Sequence, residues 1–171
     1  MVQIVAVLTS LAFGGVILVV LGLIFFGGGG TTVADQQLSD AKALVEENPK
    51  SADAWESLAS AYSGADQLDA GIAAAKRAVA LEPDNFRRLQ TLVSLQVRAR
   101  DQAGAIETVQ VYTARNPDSA EAFLQLGGLA EDAGRTPLAR LSYLAFLRLA
   151  PDDPNAAAIK TRLKTLSATA S

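Results

Sequence analysis

Pro49, Pro83, Pro117 and Pro151 stand 34 residues apart, three times in succession. Each lies in a short polar context: ENPKS, LEPDN, RNPDS and LAPDD. Four of the six prolines in the chain share this phase, which chance placement does not produce. A proline inside a helix removes a backbone donor and clashes with the preceding turn, so each marks a helix end. The segments between them are rich in Ala and Leu and helical in period. No alternation of β-branched residues competes with that reading past residue 35. The chain therefore reads as a helical repeat.

Cut after each Pro-x-x, three units appear: 52–85, 86–119 and 120–153. Each reads as two helices joined by a turn. In the first, Trp55, Leu58, Ala59 and Tyr62 share one face of the first helix. Gly71, Ile72, Ala75, Ala78 and Val79 share one face of the second. The small residues let the two helices approach closely while the aromatics fill the space beside them. Ser119 is expected to cap the helix that follows it, and Thr136 before Pro137 reads as an N-cap with Pro at the first helical position.

These units resemble tetratricopeptide repeats, a family of 34-residue helix–turn–helix units with a pattern of W, L-G, Y, A, F, A and P. The first unit places Trp55, Leu58-Ala59, Tyr62, Gly71, Ala75, Ala78 and Pro83 on that pattern. The third places Phe123, Leu126-Gly127, Ala130, Ala139, Tyr143, Phe146 and Pro151 there. The second is more divergent, with Leu89, Leu92-Val93, Gln96, Ala105, Val109, Tyr112 and Pro117. Upstream, Leu38, Ala41, Leu44 and Val45 form one apolar stripe, like the second helix of a half-repeat over 35–49. Downstream, a helix over 154–166 turns Ile159, Leu163 and Leu166 inward and Lys160, Arg162 and Lys164 outward. That is the expected form of a terminal cap on a stacked array. Residues 167–171 read as a frayed tail.

The N-terminus is of another kind. Ile4 to Phe26 contains no charge, and its only polar side chains are Thr9 and Ser10. As a helix it would span roughly 35 Å, against a hydrocarbon core of about 30 Å. A cleaved signal peptide is the rival reading. It would have a basic start and a shorter apolar core of about 7–15 residues, whereas this chain begins Met1-Val2-Gln3. The expectation is a retained transmembrane helix over 1–26 in the cytoplasmic (inner) membrane. The sparse flanking charge points the repeats toward the extracytoplasmic or periplasmic side. Ser10, Gly14, Gly15 and Gly22 are candidate helix-packing positions within the span. A linker over 27–34 follows, beginning GGGG, and it lacks the Lys and Ser/Thr that would end a phosphate loop. The expected fold class is thus all-α: a transmembrane helix, then a right-handed α-solenoid of three units with a preceding half-repeat and a capping helix.

The chain contains no His and no Cys. This removes imidazole bases, thiolate nucleophiles and the commonest transition-metal ligands. Its net charge of −3, without clustered Lys and Arg, argues against nucleic acid. The adjacent acids Glu46-Glu47, Glu131-Asp132 and Asp152-Asp153 cannot converge on one substrate, because neighbours on a helix do not face one another. No enzyme, cofactor or metal site is expected.

The resemblance implies a concave groove lined by the first helix of each unit. Its candidate residues are Asp53, Glu56, Arg87, Gln90, Arg98, Glu121 and Leu124. Relatives that hold the C-terminal carboxylate of chaperones use a Lys/Asn/Arg clamp. Glu56 and Ser60 stand where its first residues would be. With two central arginines flanked by acids, the expected partner is a peptide or helix of mixed charge, or a neighbouring subunit. The expected function is a single-pass membrane-anchored scaffold or assembly factor, in its narrower form a client-holding factor in cytochrome c maturation or protein export. The alternative is an accessory subunit of a respiratory or photosynthetic membrane complex, held mainly by its transmembrane helix.

Overall fold

Many helix starts in this chain are written by short polar side chains that accept from the orphan amides of the first turn. The structure, a computed structural model, describes residues 32–168. The chain divides into two compact units, 1–36 and 37–171. In the first, the described residues carry a reciprocal cap. The Thr32 amide and hydroxyl donate to the Asp35 carboxylate at 3.0 and 2.8 Å, and the Asp35 amide donates to the Thr32 hydroxyl at 3.1 Å. These bonds, the backbone one foremost, hold the Asp35 carboxyl below its ordinary pKa. They open helix α1, Val33–Glu47, which continues into the second unit. The helix thus takes in Val33 and Ala34, which the sequence reading left in the linker.

Seven more helices follow among the described residues: α2 (Ala52–Gly64), α3 (Leu68–Leu81), α4 (Phe86–Arg98), α5 (Gln102–Arg115), α6 (Ala120–Asp132), α7 (Thr136–Leu149) and α8 (Ala156–Ala168). Ser51, Asn85 and Ser119, 34 residues apart, cap α2, α4 and α6 by accepting from Ala54, Arg88 and Ala122 at 3.2, 3.4 and 3.4 Å. The turn inside each hairpin repeats as well. Asp66, Arg100 and Gly134 have φ of 57°, 61° and 69°. The amide after each donates back to Tyr62, Gln96 and Ala130, which satisfies a terminal carbonyl of the preceding helix. A left-handed residue is therefore a requirement of this turn, and only the third repeat meets it with glycine.

The hairpins α2–α3, α4–α5 and α6–α7 stack on three contiguous apolar clusters. Positions that face each other within a hairpin compensate in size. Ala59 and Ala75 sit in the first cluster, and Val93 and Val109 hold the same register in the second. In the third, Gly127 lies against Tyr143, so closely that a Cβ on Gly127 would fall 2.4 Å from the ring. Tyr112 and Phe146, where the family pattern is small, are both buried, and Tyr112 packs on Phe86 with ring centroids 5.3 Å apart. At the C-terminal end Leu166 is buried, and Ile159 and Leu163 pack on the third cluster. Lys160, Thr161 and Lys164 of α8 are exposed in the register held by Leu58, Ala59 and Tyr62 in α2, so that face of α8 is solvated.

Three expectations are corrected. The fold class is an all-α solenoid of eight helices among the described residues, without the transmembrane helix. None of these helices is long and apolar enough to cross a membrane. The physical reason is length: a helix of 13 to 15 residues reaches about 20–23 Å at 1.5 Å per residue, short of a hydrocarbon core of about 30 Å. The span expected over 1–26 lies outside the described residues. Thr136 is not an N-cap but the first helical residue, preceded by Arg135, which makes no side-chain cap. Finally, α8 begins at Ala156 rather than at residue 154, because Asp153 first closes a turn by accepting from the Asn155 amide at 2.7 Å.

Candidate functional site

The first helices of the hairpins, α2, α4 and α6, are laced together by polar side chains. Their spacing follows the repeat: pairs 31 to 35 residues apart bring one helix onto the next. Arg87 donates from both terminal nitrogens to Glu56, at 2.8 and 3.0 Å. Gln90 donates to Glu121 at 3.2 Å. Arg98 donates to the Ser63 hydroxyl and lies 3.8 Å from Asp66. Arg162 of α8 meets Glu131 at 2.7 Å, and the Tyr143 hydroxyl donates to the same carboxylate at 2.9 Å. Six of the seven expected groove residues thus take part in contacts between neighbouring helices, either directly or through Arg88. Leu124 instead packs against the third apolar cluster. Ser10, Gly14, Gly15 and Gly22 lie outside the described residues.

The residue that sequence reasoning missed is Arg88. Its side chain is only 4% exposed, and it reaches three carboxylates. It donates to Glu56 at 2.5 Å, to Asp53 at 2.7 Å and to Glu82 at 2.8 Å. A buried guanidinium survives only with such company, since its desolvation is otherwise uncompensated. The hydrogen bonds it donates to Glu82 and Asp53 raise the Arg88 pKa further, so it stays charged. In return the Arg88 and Asn85 hydrogen bonds hold Glu82 below its ordinary value. The signal was available: the positions in register with Arg88 are Ala54, Ala122 and Ala156, all buried. A charged residue at a position that is otherwise a buried alanine needs partners, and the acids Asp53, Glu56 and Glu82 lie nearby in the same two repeats.

A groove of about 870 Å³ opens beside this network. α1 contributes Asp40, Ala41 and Leu44, and α2 contributes Asp53, Glu56, Ser57 and Ser60, with Arg87 at the far side. Four of the expected site residues and clamp-position residues (Asp53, Glu56, Ser60 and Arg87) meet here. Gln90, Arg98, Glu121 and Leu124 lie beyond its lining.

At the last joint the Glu131 carboxylate accepts from both Tyr143 and Arg162. Burial works to raise its pKa, but the Arg162 and Tyr143 hydrogen bonds outweigh that and hold it below its ordinary value. Burial first, then the Glu131 carboxylate, pushes Tyr143 up to about 12. Neither group titrates near neutrality, where a proton-transfer group must. Among the described residues no group of three or more carboxylates is placed to hold a metal ion.

Comparison with known proteins agrees with this geometry. A tetratricopeptide-repeat family model matches residues 91–154. No curated protein matches the chain. Solved structures similar to it include MamA, at 17% identity and a TM-score of 0.57 over 82% of this chain and 91% of that one. A second is YrrB, described as a tetratricopeptide-repeat protein with an unusual peptide-binding site, at 17% identity and 0.58 over 80% of this chain and 69% of that one. A third is the first such domain of Spaghetti bound to the HSP90 peptide SRMEEVD, at 21% identity and 0.54 over 70% of this chain and 94% of that one. At these identities the likeness is one of fold. With residues 91–154 matched at the level of sequence and the likeness in structure reaching over most of the chain, the fold is that of the tetratricopeptide-repeat proteins.

Proposed function

We propose that the chain is a protein-interaction scaffold whose first-helix face takes a polypeptide segment of a partner. One observation carries this reading: the open groove of about 870 Å³ against α2, whose acids Glu56 and Asp53 are held in place by the Arg87 and Arg88 hydrogen bonds. A site whose side chains are already held loses little freedom on binding. The peptide-bound Spaghetti domain and YrrB, similar in fold, support binding of a segment rather than a small molecule. The acidic HSP90 peptide itself is a poor candidate here, because Glu56 and Ser60 line the groove and Arg87 is engaged by Glu56. No observation favours the narrower roles in cytochrome c maturation, export or a respiratory or photosynthetic complex. The test is affinity isolation with Arg87→Ala/Arg98→Ala, both exposed and so compatible with the fold. Loss of specific co-purifying proteins, with an unchanged melting curve, is expected. Retention of every one of them would end this reading.

A further inference from the structure

The second helices frame an opening of their own. A groove of about 800 Å³ runs between α3 and α5. Val79 and Ala80 line one wall and Thr108 and Val111 the other, over a floor of Leu89 and Leu92 from α4. At Gly104 the groove has a polar corner. Gln96 is buried at 2% exposure and lines it. Its Oε1 accepts from the Thr108 hydroxyl at 3.0 Å, and among the described residues its Nε2 donates to nothing. Asp101 caps α5 through Oδ1, 2.9 Å from the Gly104 amide, and among the described residues its Oδ2 accepts nothing. A Cβ on Gly104 would fall 2.1 Å from that Oδ2 and 2.8 Å from Gln96 Nε2, so both atoms border one space that glycine keeps open. A donor beside an acceptor matches the C=O and N–H of a peptide unit. Packing does not require the amide, since Tyr62 and Ala130 hold the register of Gln96 in the other repeats. A buried donor left unmade is a cost that a ligand would remove.

The walls carry free charge. Lys76, Glu107 and Arg115 line the groove, and among the described residues none of the three side chains makes an ion pair or hydrogen bond. Two cations against one acid favour an acidic occupant. Glu107, within a turn of Gly104, repels an acid at that end, which leaves Arg115 to receive it. Arg115 lies eleven residues beyond Gly104, about 16 Å along α5, a distance that an extended segment covers in about five residues. Between α5 and α7 the positions of Gln96, Glu107 and Arg115 are Ala130, Leu141 and Leu149, so the fold does not demand polar residues there. We propose that the groove between α3 and α5 binds an extended, acidic segment of a partner protein. Its backbone amide meets Gln96 and Asp101, an aliphatic side chain sits between Val79 and Val111, and an Asp or Glu meets Arg115. A helix does not suit the corner, because its own ladder already takes up the N–H and C=O. This site is separate from the first-helix face and does not depend on it.

The experiment uses the full chain and reads the anisotropy of a capped, dye-labelled peptide, Ser-Val-Ser-Leu-Ser-Asp. One counterpart has Lys for the Asp, and another has its inner amides N-methylated. The Asp peptide is expected to bind the native chain, with about tenfold weaker binding to Arg115→Glu, and the Lys peptide to recover that loss on the same variant. Gln96→Leu should bind about fivefold more weakly, and the N-methylated peptide should not distinguish it from the native chain. Arg115 is exposed, so Arg115→Glu decides the charge even where Gln96→Leu alters the melting curve. Arg87→Ala/Arg98→Ala should leave binding unchanged. No measurable binding would overturn the proposal, as would equal binding of the Asp and Lys peptides or full binding of the N-methylated one. Loss with Arg87→Ala/Arg98→Ala but not with Arg115→Glu would place the peptide on the first-helix face, overturning this site and supporting that one. A photo-crosslinker at Val111 that joins a second copy, or residues 1–31 of the same chain, in place of the peptide would refute a partner segment.

Discussion

The first and second repeats meet around a charge, and the second and third meet around a methyl group. At the first joint Arg88 is buried and holds Glu56, Asp53 and Glu82 around it. At the second joint the same register holds Ala122, fully buried in a cluster with Leu89, Val93 and Tyr112. The polar lacing there includes the contact of Gln90 with Glu121. One backbone geometry is thus reached by two chemical routes. Apolar packing at the second joint is close and indifferent to pH. The ionic route adds little net stability, because desolvation offsets most of the attraction, but it penalises any mispairing that strands the guanidinium. It also holds Glu56 and Asp53 rigid at the edge of the groove.

The comparison is broken most severely by removing the acids and keeping the base. Glu56→Gln/Glu82→Gln leaves Arg88 buried with Asp53 as its one charged partner, and should lower unfolding stability by about 3 kcal/mol. Adding Arg88→Ala to that variant should recover at least half of the loss, since alanine is what the register holds at Ala54 and Ala122. Gln90→Ala/Glu121→Gln at the second joint should cost less than about 0.5 kcal/mol. Urea titrations of the four proteins decide it. If the triple variant is no more stable than the double, the first joint is not organised by charge.

The next prediction moves the comparison from joints to hairpins. Gly127→Ala would place a methyl group 2.4 Å from two ring carbons of buried Tyr143. Overpacking of that kind should cost about 2 kcal/mol. Gly71→Ala meets nothing closer than the Ala59 carbonyl oxygen at 3.3 Å. There the gain in helix propensity, about 1 kcal/mol, should leave stability unchanged or higher. Thermal melts that show equal losses for both would mean that the Gly127–Tyr143 fit is not the reason for the glycine.

Most of the scaffold could be read from the chain because its period is written in prolines. Pro49, Pro83, Pro117 and Pro151 set the phase, and the Ala/Leu stripes supply the helical faces. What escaped was whatever the period alone does not report. Thr32 and Asp35 form a cap box that is visible in the sequence, yet Gly27 to Gly30 drew the eye to a linker that ends two residues later than it does. Thr136 looked like a cap beside Pro137, while Arg135 is the residue in register with Gln67 and Asp101 at the start of α3 and α5. Arg88 was passed over because the family's groove positions exclude it. Comparing register columns, rather than matching one unit at a time, exposes it.

A smaller effect tests the turn columns. Asp66 and Arg100 occupy a left-handed conformation that Gly134 adopts freely. Asp tolerates that region better than Arg does. Arg100→Gly should therefore stabilise the chain by about 1 kcal/mol, and Asp66→Gly by less, because its pairing with Arg98 at 3.8 Å is lost. A destabilised Arg100→Gly, measured by urea midpoint, would show that the turn is held by side-chain contacts of Arg100 rather than strained by it.

The last joint gives the smallest effect and a pH signature that separates ionic lacing from packing. Arg162 is more than half exposed, so Arg162→Ala should cost less than about 1 kcal/mol at neutral pH. The sign of its pH dependence follows from Glu131, whose folded pKa lies below its ordinary 4.5. A depressed carboxyl stabilises the fold above that ordinary value and loses its contribution as pH falls through the folded one. Tyr143 works in the opposite sense. Its folded pKa of about 12 lies above the ordinary 10.0, so its contribution is full below 10.0 and fades as pH rises toward 12. The difference between the native chain and Arg162→Ala should therefore be flat between the two limits and shrink in acid as Glu131 takes up its proton. The Gly127→Ala difference, which is steric, should be the same across that range. If the Arg162→Ala difference stays constant down through the acid limb, then α8 is held on the third cluster by Ile159, Leu163 and Leu166 alone, and the third joint belongs with the second rather than with the first.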